Sequence, residues 1–529
     1  MKSKKYILAI DHGTSGIKAA LVSVDGKTVD FCFQKTDTIY LGDGGVEQDP
    51  EQWWTAVAAA CGSLVSGSTV DRDDVAAVCV SSTFSTTVAV DRNGMPVMNA
   101  ITWMDTRGGP YVKQAMAGFP SFEGYGIRKA LKWIVRTGGA PTLTGKDDIG
   151  HVLFMMHERP DLYEKTYKFL PSKDFINLRL TGEFGATTDS VHLFWVTDIR
   201  DINNIKYDWS LVKEFGVDPD KLPDLYLPTD IIGTLCESAA RQIGLKKGIP
   251  VVAGSPDHQC ACIGSGAVRD YEAHLYIGTS SWVQCLVPFK KTDVLHSIAS
   301  FPTAVPGRYQ SVNEQDIAGG ALDFLVGTLF GGVGGNNDLS GPDRYRAVDE
   351  AAAGAPAGSG GVIFTPWLNG ERTPVDDEAI RGSLFNLSTT TTSDHVARAV
   401  MEGVAYNSRW ALTYVEKFTG RVMDPITIVG GGAKSEPWCQ IFADVTNRTI
   451  RRARDPVQAN ARGAAFIAAV ALGYIRFDDI PGITEYDRVF KPDPDNREVY
   501  DFMYKSFLSL YGAHKRICRH INTREGHTT

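Results

Sequence analysis

The sequence predicts an α/β protein made of two related halves flanking a cleft, and three observations carry that reading. β-Branched, apolar segments alternate with segments of helical periodicity in both halves of the chain. A strand, a Gly-Thr-Ser turn and a second strand occur near the N-terminus and again near the middle. The chain has 529 residues, whereas single hydrophobic cores stop growing at about 250–300 residues.

The first element runs from Tyr6 to Ile10, turns through Asp11-His12-Gly13-Thr14-Ser15-Gly16, and returns from Ile17 to Val22. A helix is expected over 51–65, because Asp49 is a good N-cap and Pro50 suits the first helical position. Val251-Val252-Ala253 is an apolar strand ending at Gly254-Ser255-Pro256-Asp257, and a short helix is expected over 259–262. The second hairpin spans Leu275 to Val287 around Gly278-Thr279-Ser280. Thr14 and Thr279 stand 265 positions apart, half the chain, which is the spacing of a fold duplicated once. Ile426 to Val429 runs into Gly430-Gly431-Gly432-Ala433 and a helical pattern over 437–446, repeating strand, glycine turn and helix. Helical spacing also marks 394–414, through Val396, Val400, Val404 and Ala405, and the alanine-rich stretch 462–472. The stretches 351–361 and 331–335 read as surface loops. A boundary near Gly264-Ser265-Gly266 divides the chain into residues 1–266 and 267–529.

Composition excludes several classes. A formal charge of −8 without a run of Lys or Arg argues against nucleic acid, and Lys515, Arg516 and Arg519 read as a solvated helix end. The apolar stretch after Lys5 ends at Asp11, too soon for a signal peptide, and the longest apolar stretch, 464–475, is too short for a bilayer. No membrane association is expected. Nine scattered cysteines without Cys-x-x-Cys suggest neither a disulfide framework nor a zinc site, so a reducing cytoplasm is the expected compartment. Glycine is enriched, 53 of 529, or about 10% against a usual 7%. That excess implies tight turns and close backbone approaches.

Gly13-Thr14-Ser15 and Gly278-Thr279-Ser280 suit phosphate, because glycines let backbone N–H groups approach an anion and hydroxyls add donors. Asp11 is placed to position a hydrated Mg²⁺ and Lys18 to supply a cation. The same residues also suit a plain tight hairpin. There is no Gly-x-x-x-x-Gly-Lys-Ser/Thr, so a Walker-type loop is excluded. Asp257, at a strand end, suits a base that takes a proton from an attacking hydroxyl, or equally a helix cap. His258 beside it reads as structural.

Read together, the segments resemble the FGGY family of carbohydrate kinases. The resemblance covers Asp11 to Lys18, Glu47 to Trp54, Ile101 to Arg107, Leu170 to Phe175 and Leu180 to Glu183. It continues through Gly370 to Pro374, Arg381-Gly382, Arg398 to Gly403, Gly430 to Ala433 and Trp438 to Asp444. It implies two duplicated ribonuclease-H-like domains of the actin, Hsp70 and sugar kinase superfamily, ATP with Mg²⁺, and phosphorylation of a sugar hydroxyl. It implies that Asp257 is the catalytic base, Asp11 the Mg²⁺-linked acid, Gly13, Thr14, Ser15, Lys18, Gly278, Thr279 and Ser280 the phosphate contacts, and Gly431, Gly432 and Ala433 the adenosine loop. Trp103, Asp105 and Lys173 lie in segments that line the sugar site of relatives. The implied partition puts the sugar site, first phosphate loop and Asp257 in 1–266. The second phosphate loop and adenosine site fall in 267–529, before a C-terminal helical tail.

One departure bears on the sugar. Xylulose kinases of the family usually carry Gly-Gln-Met-His-Gly where this chain has Ser82-Thr83-Phe84-Ser85-Thr86, so a different lining from Ser82, Thr83 and Phe84 is expected. The remainder resembles the xylulose and gluconate kinase branch, which makes a pentulose such as D-xylulose the first expectation. Gluconate is the alternative and would need a cation, for which Lys173 is the candidate. From another class, a nucleotide-gated sugar sensor without catalysis would use the same hinge. A homodimer is compatible with the sequence.

Overall fold

The structure, a computed structural model, describes residues 5–330 and 342–522. The first hairpin extends further than its apolar residues do: Tyr6–Gly13 and Gly16–Ser23 pair from end to end, with Gly13 opposite Gly16. Only Thr14 and Ser15 form the tip. Asp11 is therefore a strand residue, not a turn residue as expected. It lies opposite Lys18, whose Nζ is 3.3 Å from its Oδ2, and this cross-strand charge pair lets a polar segment continue the ladder.

Among the described residues the first large sheet has six strands, in the order Ile231–Thr234, Pro250–Pro256, Val75–Ser82, Tyr6–Gly13, Gly16–Ser23 and Thr28–Lys35. Val75–Ser82 runs parallel to both Tyr6–Gly13 and Pro250–Pro256. Three parallel strands thus end side by side at His12, Ser82 and Pro256, and the carboxyl edge of such a sheet is where ligands enter. The second large sheet has eight strands, with Ala273–Ile277 between its hairpin partner Ser281–Val287 and the parallel strand Ile426–Val429. Hairpin plus parallel neighbour is the unit repeated in both sheets. These strands are apolar along their length because both faces are covered.

The helices follow their caps. Pro50–Gly67 begins as expected, with Asp49 accepting from the Glu51 N–H at 2.9 Å. Ser393–Thr419 is longer than its expected 394–414, because Thr392 and His395 form a capping box and only Gly420 ends it. The stretch 351–361 was expected as a loop, yet 351–354 continue the helix Pro342–Gly354, since Ala351, Ala352 and Ala353 are strong helix formers. The expected loop at 331–335 lies outside the described residues. Arg497–Asn522 docks through Tyr500, Met503, Tyr504, Phe507 and Leu510 onto the second core. No described helix is long and apolar enough to cross a membrane.

The two halves meet where Asp257–Gly264 crosses Ala459–Ala471. A Cβ on Gly264 would lie 1.9 Å from the Ala459 carbonyl oxygen, and one on Gly463 would lie 1.9 Å from that of Cys260. Buried Arg462 closes the joint, donating to the carbonyls of Gly264 at 2.6 Å and Arg454 at 2.7 Å. Gly463→Ala is expected to destabilise the protein by about 2 kcal/mol, because the backbone clash outweighs the roughly 1 kcal/mol that Ala gains over Gly in a helix. Thermal unfolding checks this; an unchanged or higher Tm would contradict the crossing.

Candidate active site

Asp11 faces the junction from the first sheet. Its carboxylate meets Lys18 at 3.3 Å and Asn460 at 3.4 Å, while Lys18 also donates to the Val457 carbonyl at 3.2 Å. Both contacts to Asp11 are long, which leaves it able to accept from water. Among the described residues no group of three or more His, Cys, Asp or Glu is arranged to hold a metal ion. That donor set fits Mg²⁺, which keeps most of its waters and uses one or two carboxylates with substrate phosphates.

The first tip is tied down from the rest of its half. Thr14 Oγ1 accepts from Trp103 Nε1 at 3.1 Å, and the Thr14 carbonyl accepts from Gln48 Nε2 at 2.7 Å. The second tip is held by its own chain: Ala318 N–H donates to the Thr279 carbonyl at 2.7 Å and Gly319 N–H to that of Gly278 at 2.8 Å. Ser15 and Thr279 remain exposed. The third glycine turn lies against the base of the second hairpin. Gly430 has φ 93°, and a Cβ there would meet the Ile277 carbonyl at 2.5 Å. Gly432 packs on the Ile277 side chain, Ala433 is buried, and Gly431 faces open space. Of the expected adenosine trio, Gly431 is thus the open backbone, and its neighbours place it.

Asp257 is the first residue of its helix, with Pro256 in the cap position, so it is not the N-cap that spacing also allowed. Its Oδ1 accepts from the adjacent His258 N–H at 2.9 Å. Burial, followed by the like charges of Asp11 and Glu314, holds the Asp257 carboxyl well above the usual carboxylate range.

The residues expected around the sugar divide into two groups. Thr83 and Phe84 are half-buried, and the Phe84 ring lies 6.2 Å from that of His258. Trp103 is half-buried between Thr14 and Arg372. The other three do not reach the cleft. Ser82 is buried, donating to the Thr83 carbonyl and accepting from Ser172 Oγ and the Lys173 N–H. Asp105 is buried in an ion pair with Arg107 at 2.7 Å and also accepts from the Val46 N–H. Lys173 is buried against Asp174 at 2.5 Å and the Ala253 carbonyl at 3.2 Å, which corrects its expected role as partner for a sugar carboxylate.

A charged cluster from the second half takes their place. Arg372 binds Glu314 at 2.5 Å and Asp316 at 2.7 Å, and its guanidinium lies 5.6 Å from the centre of the Trp103 ring. Arg372 stands inside the Gly370 to Pro374 motif, which marks the segment; nothing local in the sequence marks Glu314 and Asp316.

Models of known families match this chain on both sides of the cleft. Residues 6–264 match the N-terminal domain, and residues 273–472 the C-terminal domain, of the FGGY family of carbohydrate kinases. The chain belongs to this family. It is 28% identical over 528 residues to a xylulose kinase of Staphylococcus epidermidis, covering 98% of this chain and 99% of that one. The solved xylulose kinase of Lactobacillus acidophilus superimposes with a TM-score of 0.83 at 25% identity, covering 96% of this chain and 98% of the other. A gluconate kinase of the same organism shares the fold, with a TM-score of 0.82 at 24% identity over 97% and 99% of the two chains. This FGGY kinase therefore has the duplicated α/β architecture of the actin, Hsp70 and sugar kinase superfamily, and it phosphorylates a carbohydrate with ATP as co-substrate.

In this FGGY kinase, Arg372 holds two cleft carboxylates from its own half. Arg372→Ala is expected to lower kcat/KM for sugar at least tenfold, on the order of the 1–3 kcal/mol lost when a charged hydrogen-bonded partner is removed. Arg372→Lys is expected to recover little of it, because an ammonium does not reproduce the fork and the ring contact. Steady-state kinetics on the two variants checks this; near-normal activity in both would contradict it.

Proposed function

We propose that this kinase transfers the γ-phosphoryl group of ATP to a hydroxyl of a neutral pentulose such as D-xylulose, with Asp257 as the base. The observation that carries the reading is the Asp257 carboxylate, half-buried at the carboxyl end of Pro250–Pro256 and held by backbone N–H groups, with no side chain paired to it among the described residues. Phosphoryl transfer is mostly positioning and electrostatics, so one base, backbone donors and cations meet its needs. Gly13, Thr14 and Ser15 with Gly278, Thr279 and Ser280 serve as the two phosphate contacts, and Gly431, Gly432 and Ala433 form the adenosine turn. Lys18 and Asn460 orient Asp11, which would hold Mg²⁺; bound there with the polyphosphate, the ion supplies charge neutralisation. Asp257 takes the hydroxyl proton as that oxygen attacks phosphorus, and ADP leaves.

The pentulose reading rests on likeness to xylulose kinases and on the charge of the cleft. Asp257, Glu314 and Asp316 face it with Arg372 already held by two of them, and Lys173 is sealed in the core. An aldonate such as gluconate would bring a further negative charge to this set of carboxylates, with Lys146 the nearest cation that acts on Asp316 besides Arg372. Thr83 and Phe84 line the sugar from the first half, and Thr83 and Ser85 stand where the xylulose kinase pattern has Gln and His. The sugar site then draws on both sides of the 1–266 and 267–529 partition, while the adenosine turn belongs to the second side. Nine unpaired thiols suit a reducing, cytoplasmic setting. A homodimer remains part of the proposal, checked by sedimentation.

Asp257→Ala is expected to keep ATP affinity within a few-fold and to lose most turnover, on the order of 10²–10⁴-fold for a positioned base. Near-normal ADP release with sugar would sink the assignment. A coupled assay over pentuloses, hexuloses, polyols and aldonates tests the substrate, and a preference for gluconate would reverse the charge argument.

The acid limb of kcat/KM for sugar gives a separate check. Asp257 must be ionised to accept the proton, and its raised folded pKa means that activity falls as pH drops, at a higher pH than for an ordinary carboxylate near 4. Glu314→Gln removes a like charge, so Asp257 loses its proton more easily. The limb is expected to move to lower pH, and a limb that stays or moves up would contradict this.

A further inference from the structure

The turn 24–27 joins Gly16–Ser23 to Thr28–Lys35, at the end of the first hairpin away from its Thr14-Ser15 tip. The seven strand steps between them span about 23 Å, so this turn is remote from the phosphate tips. Here the first half meets the second. Gly26, Lys27 and Thr28 face Arg454, Arg462 and Glu485 across a cavity of about 210 Å³. A Cβ on Gly26 would run into the Phe466 ring, so the turn lies as close to Ala459–Ala471 as a backbone can.

Two groups lining this cavity have no partner. Arg462 is 4% exposed; its Nε and Nη1 donate to the carbonyls of Gly264 and Arg454, but its Nη2 meets nothing among the described residues. No described carboxylate forms an ion pair with it. Burial pushes the guanidinium down to about 10, with Asp455 and Tyr486 acting against that only through their charge. Thr28 Oγ1 is likewise buried without a partner among the described residues. Buried polar groups are nearly always hydrogen-bonded and buried cations paired, so these two mark a place for something the chain itself does not supply.

The charge of the cavity indicates what that is. Lys27 and Arg454 share one carboxylate, that of Glu485, at 2.9 Å from each. Lys27, Arg454 and Arg462 therefore outnumber Glu485 and Asp455, in a chain whose formal charge is −8. Water would satisfy the free N–H and hydroxyl but not this local excess. A phosphate group does both, accepting from a guanidinium and a hydroxyl while two rim cations add attraction. We propose that this cavity is a non-catalytic phosphate site, taking a phosphate group, free or as a monoester, between Thr28 of the first half and Arg462 of the second. A ligand held by both halves binds best at one relation between them, so its occupancy is linked to closure of the cleft. The inference is independent of which sugar is phosphorylated.

Calorimetry on the full chain, with a non-hydrolysable ATP analogue and Mg²⁺ at saturation to fill the catalytic cleft, reads this site by itself. Inorganic phosphate is expected to bind one equivalent with a Kd on the order of 1 mM, in keeping with a five-atom ligand, and to raise Tm. Thr28→Val keeps the shape and removes the hydroxyl. Phosphate affinity is expected to fall about tenfold, while Tm without phosphate stays or rises because an unpartnered buried hydroxyl is lost. A hydroxyl of purely structural value would do the reverse, lowering Tm and leaving phosphate affinity alone. Lys27→Gln is expected to weaken phosphate about threefold and to reduce the salt dependence of binding. Methyl phosphate separates the two sources: affinity within tenfold of that for phosphate assigns a monoester, and a larger loss assigns the free ion. Acetate binding as tightly as phosphate, no phosphate binding at ten times the expected Kd, or wild-type phosphate affinity in Thr28→Val overturns the proposal.

Discussion

Like charge held close together is the constraint on which this cleft depends. Asp11 and Glu314 both lift the Asp257 carboxyl, and they reach it from different halves of the chain. In water such a set would spread apart; in a partly buried cleft it persists only if cations and backbone donors fix each member. Lys18 serves Asp11 from the facing strand of the same hairpin, and Arg372 serves Glu314 and Asp316. Both cations also cross between halves, Lys18 to the Val457 carbonyl and Arg372 over Trp103. Neutralising the cleft and joining the lobes are therefore done by the same side chains.

That sharing explains why the joint is built from glycine. If the cations are to reach across, the helices that carry Asp257 and Asn460 must approach almost backbone to backbone, and any Cβ at Gly264 or Gly463 would occupy a carbonyl. The glycine excess has one of its causes here, in helix crossing, and another in the turn at Gly430. Motion between the halves, which excludes water from a transferring phosphoryl group, would pivot on a contact that small side chains keep thin.

Much of the fold was legible in the sequence because its signals are local. The Gly-Thr-Ser tips, the Asp49-Pro50 helix start and the strand into Gly430 each depend on a few adjacent residues. The ends of elements were less legible: Asp11 continues a strand only because Lys18 stands opposite, and Ala351 to Ala353 prolong a helix that a glycine-rich neighbourhood hid. The site was legible in part. Asp257 stands at the strand end where the sequence puts it, but Lys173 and Asp105 were placed at the sugar by segment, and whether a charged side chain faces the cleft or a buried partner is settled by residues far away in sequence. Lys173 turns to Asp174 and Ala253, Asp105 to Arg107 and Val46. Glu314 and Asp316 carry no local mark at all, and their charge matters because Arg372, more than fifty positions on, arrives between them and Trp103.

The same reasoning bears on where the chain differs from its relatives. In the Ser82 to Thr86 segment, Thr83 and Ser85 stand at the expected Gln and His positions of the xylulose kinase pattern, and Ser85 is buried on the Lys146 carbonyl, so this wall of the cleft offers few donors. A sugar hydroxyl buried without a partner is costly, so a wall that loses donors must be matched by another that provides them, or else by a ligand with fewer groups to satisfy. The rest of the cleft is polar: His258, on the helix after Asp257, stands on glutamines from two strands of the second sheet, and Arg372 stands between two carboxylates. Phe84 against His258 is an apolar boundary on this side of the cleft. The second hairpin is coupled to this wall of the cleft, because Tyr276 in its first strand and His258 in the cleft both stack on Trp282.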